Sequence, residues 1–130
     1  MKTAKILLLA LILIAGCHLP AWAANTTVVD GNFIYVTFDG STAWSIKTDA
    51  KLTKGAAIYS ISVRPAAAAD AATVRNQSAA GIPIFSYASA TGDALIEYYG
   101  GVQASPYVVG NEVTNGSKML IVLSAAPLFN

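Results

Sequence analysis

The sequence predicts an all-β fold, a single β-sandwich of jelly-roll or immunoglobulin-like type built from seven or eight short strands behind a cleaved signal helix. Three observations carry this. No mature segment of useful length repeats apolar residues at i, i+3, i+4 and i+7. Period-two alternation and short apolar runs recur instead, divided by Gly, Asp, Asn and Pro. Ala, Ser, Thr, Gly, Val, Ile and Tyr dominate while charged residues make up only 12%, a mixture suited to strands joined by small-residue turns.

The chain of 130 residues opens on a different pattern. Lys2 and Lys5 precede an unbroken apolar run from Ile6 to Ala15. A basic start, an apolar stretch and a small-x-small site make an export signal. The run is short of the roughly 20 residues a membrane span needs, and Pro20 stops a helix soon after it. Two processing sites compete. Ala21-Trp22-Ala23 suits an ordinary cut before Ala24, at the end of the leader region 1–24. Ile14-Ala15-Gly16-Cys17 resembles a bacterial lipobox, which implies a leader of residues 1–16 and a mature chain whose first residue, Cys17, carries the lipid. Acyl chains contribute about 0.8 kcal/mol per buried methylene, enough when several act together to hold a protein on a membrane. Residues 25–31 read as a tether, and 32–130 as the sandwich domain.

The strands follow in order. Phe33–Phe38 alternates cleanly, and Asp39-Gly40 after it carries a two-residue hairpin signal, because such turns want positive φ at their centre. Thr42–Ile46 is the returning strand, with Trp44 and Ile46 sharing a face. Lys47 to Lys54 is a polar turn. In Ile58–Arg64, Tyr59, Ile61 and Val63 form a dry face against Ser60, Ser62 and Arg64. Pro65 to Asp70 is a loop with at most one helical turn, too short to be a stable helix.

Thr73–Asn76 and Ile82–Tyr87 are the next strands. Pro83 donates no N–H, so its strand lies at an edge or begins unpaired. Ala94–Tyr99 follows the Thr91-Gly92-Asp93 turn, and Gly100-Gly101 breaks or bulges the chain. Pro106–Val109 and, after the Asn115-Gly116 turn, Met119–Leu123 complete the set. The last is apolar enough to lie centrally in a sheet.

Charge and reactive side chains narrow the function. Removing Lys2 and Lys5 from the eight basic residues leaves six against seven acids. Such a balance makes no electrostatic funnel for nucleic acid, so no nucleic-acid partner is expected. His18 and Cys17, the one His and one Cys, leave with the leader or stay on the tether. Ser-His and Cys-His catalysis and His-based metal sites are thereby excluded from the domain, as is a disulfide staple. Asp93 and Glu97, four apart on a strand, stand about 13 Å from each other at roughly 3.3 Å per residue, too wide for a glycosidase pair. The acids are scattered singly, with no run suited to calcium. The expectation is a non-enzyme with no catalytic residue, no metal and no cofactor.

Aromatics remain: Trp44, Tyr35, Tyr59, Tyr87, Tyr98, Tyr99 and Tyr107. Neighbours on a strand point to opposite faces, so Tyr98 and Tyr99 cannot both be core. Trp44, Tyr98 and Tyr99 are the candidate contact residues. The candidate partners are a second copy of the chain, as a homo-oligomer, or a cell-surface glycan or protein; a membrane enters only through an acylated Cys17.

Within residues 61–123, Val74-Arg75-Asn76-Gln77-Ser78-Ala79-Ala80-Gly81-Ile82-Pro83-Ile84-Phe85, then Tyr98-Tyr99-Gly100-Gly101-Val102, Pro106-Tyr107-Val108-Val109 and the closing Met119–Leu123 strand together resemble small phage-encoded β-sandwich proteins. The resemblance implies a structural or virion-surface role without a defined activity. The export signal departs from that class and points to a host- or prophage-derived envelope protein. The reading from sequence is therefore an exported, non-catalytic β-sandwich with a structural or adhesive role at the bacterial envelope or outside the cell. It would be lipid-anchored, periplasmic or extracellular. The alternatives are a carbohydrate-binding module or a phage virion surface or decoration protein.

Overall fold

A computed structural model describes residues 24–67, 70–88 and 95–125. The expected leader through residue 23, with Cys17 and His18, and the expected Thr91-Gly92-Asp93 turn lie outside the described residues. Among the described residues there are nine strands: β1 (Thr26–Asp30), β2 (Phe33–Thr37), β3 (Trp44–Ser45), β4 (Ala56–Arg64), β5 (Ala71–Asn76), β6 (Pro83–Ala88), β7 (Leu95–Ala104), β8 (Pro106–Val108) and β9 (Lys118–Leu123). A short 3-10 turn spans Gly110–Glu112.

The strands form two antiparallel sheets, five-stranded in the order β1-β2-β9-β4-β7 and four-stranded in the order β3-β8-β5-β6. One apolar core joins them. Ile34, Val36, Ile58, Ile61, Val63, Met119, Ile121 and Leu123 come from the larger sheet, and Trp44, Val74, Phe85, Tyr87 and Val108 from the smaller. The period-two pattern is what builds this arrangement, because alternate residues on each strand bury one face and leave the other outside. β9 lies centrally between β2 and β4, as its apolar run predicts.

Two aromatic side chains tie the sheets together at opposite edges. Trp44 on β3 donates its Nε1–H to Thr27 Oγ1 on β1 at 2.9 Å. Tyr99 on β7 donates its hydroxyl to the Ile84 carbonyl on β6 at 2.7 Å. Each buries a large apolar body and satisfies a polar tip, which is what aromatic residues at a seam offer.

Four sequence expectations are corrected. Residues 25–31 are not a tether: β1 fills 26–30, and Asp30-Gly31-Asn32 closes a hairpin with Asp30 opposite Phe33 and Gly31 at φ +54°. Asn25 is also docked, its side chain accepting the Asp39 N–H at 3.0 Å and donating to the Thr42 carbonyl at 2.8 Å.

Asp39-Gly40 turns the chain but makes no hairpin. The Asp39 carboxylate accepts the N–H groups of Ser41 and Thr42 at 2.8 and 2.7 Å, so the chain leaves β2 and crosses to β3 in the other sheet. Gly40 has φ +77°, and a Cβ there would meet Asn115 N at 2.8 Å.

The third correction concerns Tyr59, which is exposed rather than on the dry face. Pairing jumps from Ile58–Leu123 to Ser60–Val122, so Tyr59 is an extra residue on β4 and the alternation changes phase there. Gly100 and Gly101 answer it on β7, both at positive φ, where pairing jumps from Val102–Ile58 to Tyr98–Ser60. The expected glycine bulge is present, and Pro83 begins the edge strand β6 as expected. The fourth correction, Trp44, belongs to the site.

Candidate functional site

The contact candidates separate at once. Trp44 is 0% exposed, and its indole N–H is spent on Thr27. It is a core residue and cannot meet a partner. The alternation of Thr42–Ile46 already put it on the same face as Ile46, which is equally buried. Tyr98 and Tyr99 split as strand geometry requires. Tyr98 is 68% exposed on the outside of the larger sheet, whereas Tyr99 is partly buried against the core. Burial raises the Tyr99 hydroxyl well above its ordinary pKa, and the nearby Glu97 charge adds to this, so it is a neutral donor.

Tyr98 does not stand alone. Register places the outward residues of the five-stranded sheet in rows that run across it. One row reads Val28, Tyr35, Leu120, Ser62, Ile96. The next reads Asp30, Phe33, Val122, Ser60, Tyr98. A third, at the other end, reads Thr26, Thr37, Lys118, Arg64. Val28, Phe33, Tyr35, Tyr59, Ile96 and Tyr98 are all exposed. The first two rows therefore present a largely apolar surface, interrupted on β4 by Ser60 and Ser62, with Asp30 at one corner and Lys118 and Arg64 beyond the opposite end.

The relief of this face is uneven. Phe33 and Tyr35 form a ridge on β2, their ring centroids 6.3 Å apart. Tyr59 and Tyr98 form a second ridge at 5.9 Å, edge to face at 79°. Between them β9 and β4 offer half-buried Leu120 and Val122 with the small Ser60 and Ser62. A cavity of about 310 Å³ opens toward the Arg64 and Lys118 end of this furrow, lined by Tyr35, Thr37, Ser62, Leu120, Arg64 and Lys118 among others.

Sequence reasoning missed Phe33, Val28 and Ile96 as site residues, and treated Tyr35 only as one of the aromatics. The available signal was the alternation itself. Phe33 and Tyr35 lie on the face of β2 opposite Ile34 and Val36, and both faces of that strand are apolar.

A second, polar cavity of about 280 Å³ is lined by Asp39, Asp70, Glu112, Asn111, Thr114 and Asn115. Its carboxylates are engaged in the structure. Asp39 is held down to about 2 by hydrogen bonds from the Thr42 hydroxyl, the Thr42 N–H and the Ser41 N–H. Glu112 is lowered by its two-pronged bond to Arg75, at 2.7 and 2.9 Å. Asp70 accepts from the buried Ser117 hydroxyl at 3.1 Å. Among the described residues no group of three or more His, Cys, Asp or Glu side chains is placed to hold a metal ion, and no helix is long and apolar enough to cross a membrane.

The fold and this face define an all-β protein of two antiparallel sheets with one polar and one apolar exterior. No protein-family model matches the chain, and neither the curated proteins nor the solved structures contain a significant match to it.

Proposed function

We propose that this chain is an exported, non-catalytic jelly-roll module that works by surface contact, structural or adhesive, at a bacterial envelope or outside the cell. The observation that carries the reading is the apolar outer face of the five-stranded sheet. Aromatic and aliphatic side chains on neighbouring strands leave an exposed patch at the upper end of what a monomer carries, where the largest patch is often functional. The strand order β2-β9-β4-β7 against β3-β8-β5-β6 follows the interleaved path of two Greek keys, the jelly-roll order, with β1 added at one edge. The engagement of Asp39, Asp70 and Glu112 in local hydrogen bonds supports a domain without acid–base machinery.

The leader pattern supports export, and β1 suits either processing site. A cut before Ala24 keeps Asn25 and every hydrogen bond it makes. Acylation of Cys17 would leave seven residues, 18–24, before Asn25. At most ~25 Å of chain then separates lipid from domain.

The jelly-roll order also favours a second reading, a phage virion surface or decoration protein, because that architecture builds viral capsids; the resemblance of residues 61–123 to phage-encoded sandwiches points the same way. The shape of the face counts against a glycan-binding role. The Phe33–Tyr35 and Tyr59–Tyr98 ring pairs are inclined at 32° and 79°, so they form no flat platform for sugar rings.

Mass analysis of the N-terminus of the protein made from its full coding sequence tests export. A chain beginning at Ala24, or a diacylated Cys17 abolished by Cys17→Ala, is expected; an intact leader on cytosolic protein overturns it. Retention on envelope fractions or glycans, compared between the wild type and Tyr35→Asp, tests the contact role. Loss of retention in the variant is expected, and equal retention counts against the face.

A further inference from the structure

We infer that the outer face of the five-stranded sheet binds a second copy of this chain, face to face across a two-fold axis. The inference rests on the contact role proposed above and names its partner.

Area comes first. Aromatic side chains carry roughly 150–250 Å² each, so the exposed portions of Phe33, Tyr35, Tyr59 and Tyr98 amount to about 400 Å². Val28, Ile96, Leu120 and Val122 raise the apolar surface to on the order of 600 Å², the upper end of the largest patch on a typical monomer. The polar rim brings the face close to the ~800 Å² that each partner contributes to a stable interface.

Relief is the second argument. A flat apolar face fits many surfaces, but this one has two aromatic ridges flanking a furrow floored by small or half-buried residues. The cavity beside Ser62 and Leu120 lies off centre, toward the Arg64 and Lys118 end. The Tyr59–Tyr98 ridge lies toward the Asp30 end, since Tyr98 shares the row of Asp30 and Phe33. Knob and hole on one surface, displaced along the strands, are what an isologous contact needs. A two-fold axis in the plane of contact and across the strands reverses the strand direction of the second copy. It brings the Tyr59–Tyr98 ridge of each copy to the end that holds the cavity of the other.

Charge agrees. The same rotation sets the Arg64 and Lys118 end of each copy over the Asp30 end of its partner; Lys118 and Arg64 then stand two and three strands, roughly 10 and 14 Å, to the side of the partner's Asp30, so each end of the contact holds both signs without a direct ion pair. The middle of the face carries none. Because the contact is two-fold it closes, and the product is a dimer rather than a filament.

Sedimentation over a concentration series, on the chain expressed in full and purified as the cell processes it, tests the inference. The wild type is expected to dimerise. Tyr98→Asp at the ridge and Ser62→Arg in the furrow are each expected to weaken association about tenfold or more, with thermal midpoints close to that of the wild type at concentrations where all three are monomeric, because both positions lie outside the core. A wild type that stays monomeric at high concentration overturns the second copy as partner, and so does a dimer that survives both substitutions. If one variant fails to fold, the other decides. The retention assay run on the same variants separates this inference from the reading beneath it. Retention that falls with Tyr98→Asp while the wild type is monomeric overturns the dimer and leaves the contact role standing; variants that change neither association nor retention overturn both.

Discussion

The two exteriors of this protein are built from the same kind of strand and differ in almost everything else. Outside the four-stranded sheet, Ala71 and Ala88 pair, Thr73 and Ser86 share a hydroxyl contact at 3.3 Å, and Arg75 grips Glu112. These groups are small, hydrogen-bonded or ion-paired, and water suits them. Outside the five-stranded sheet, the corresponding positions hold Val28, Phe33, Tyr35, Ile96 and Tyr98, with charge confined to the ends. Alternation normally gives a half-buried strand one dry and one wet side. Here the smaller sheet follows that pattern, whereas the larger one carries large apolar side chains on both sides. A protein in water gains nothing from an apolar outer face unless something covers it. The difference is what the proposed contact role rests on: the larger sheet carries the exposed apolar side chains and the smaller one polar groups.

The largest effect should separate inside from outside on residues of similar size. Trp44→Ala removes a fully buried indole and strands the Thr27 hydroxyl, and is expected to cost about 3–5 kcal/mol in denaturant unfolding. Tyr98→Ala should cost about 1 kcal/mol or less at concentrations where the chain is monomeric. Comparable losses at both positions would mean that the apolar exterior is a second core, covered by part of this same chain.

A smaller effect should come with acid. The carboxyls of Asp39 and Glu112 both have folded pKa values below their ordinary ones. A depressed carboxyl stabilises the fold above its unfolded pKa, about 4 for Asp and Glu. That contribution is lost as pH falls through the folded value, about 2 for Asp39. Thermal midpoints should therefore fall between roughly pH 4 and pH 2. In Asp39→Asn the fall should be shallower, with the variant closest to wild type at the acid end. An unaltered pH profile in that variant would show that the Asp39 turn does not act through its charge.

On the polar exterior, Arg75→Ala should lower the melting temperature slightly, because the pair is partly solvated and such pairs contribute little. It should leave self-association untouched. A change in sedimentation would break the contrast between the two sheets.

The smallest effect concerns Tyr87, whose buried hydroxyl has no hydrogen-bond partner among the described residues. Burial, with a contribution from the charge of Asp70, pushes its pKa up to about 12. Tyr87→Phe removes an unpaired polar group and should leave stability unchanged or raise it by up to about 1 kcal/mol. A loss of that size in calorimetry would place a partner for the hydroxyl outside the described residues.

The strands themselves were legible in the chain. Each of the eight expected segments holds a strand, because alternation and punctuation by Gly, Asp, Asn and Pro are local properties. The ninth, Thr26–Asp30, carried a usable signal in Asp30-Gly31, but the neighbouring leader made the stretch look like a tether. Asp39-Gly40 shows the opposite case. Its turn chemistry was correct, but whether a turn returns the chain to its own sheet or sends it to another depends on which partners already flank the strand, here the preceding β1 and the distant β9 for β2. The Tyr59 bulge was hidden for a related reason: a change of phase is visible only against the strands it pairs with.

The sequence by itself determined the all-β architecture and the division of Tyr98 from Tyr99, because both follow from the two-residue repeat of an extended chain. It also determined the scarcity of charge and of reactive side chains, which composition states directly. Only the tertiary structure decided that Trp44 is core, that five strands and not four carry the apolar exterior, and that Phe33, Tyr35, Ile96 and Tyr98 share one surface. Those residues are up to 65 positions apart along the chain. What unites them is the register of β2, β9, β4 and β7, and register is set by long-range pairing and by burial of the opposite face, which no local pattern contains.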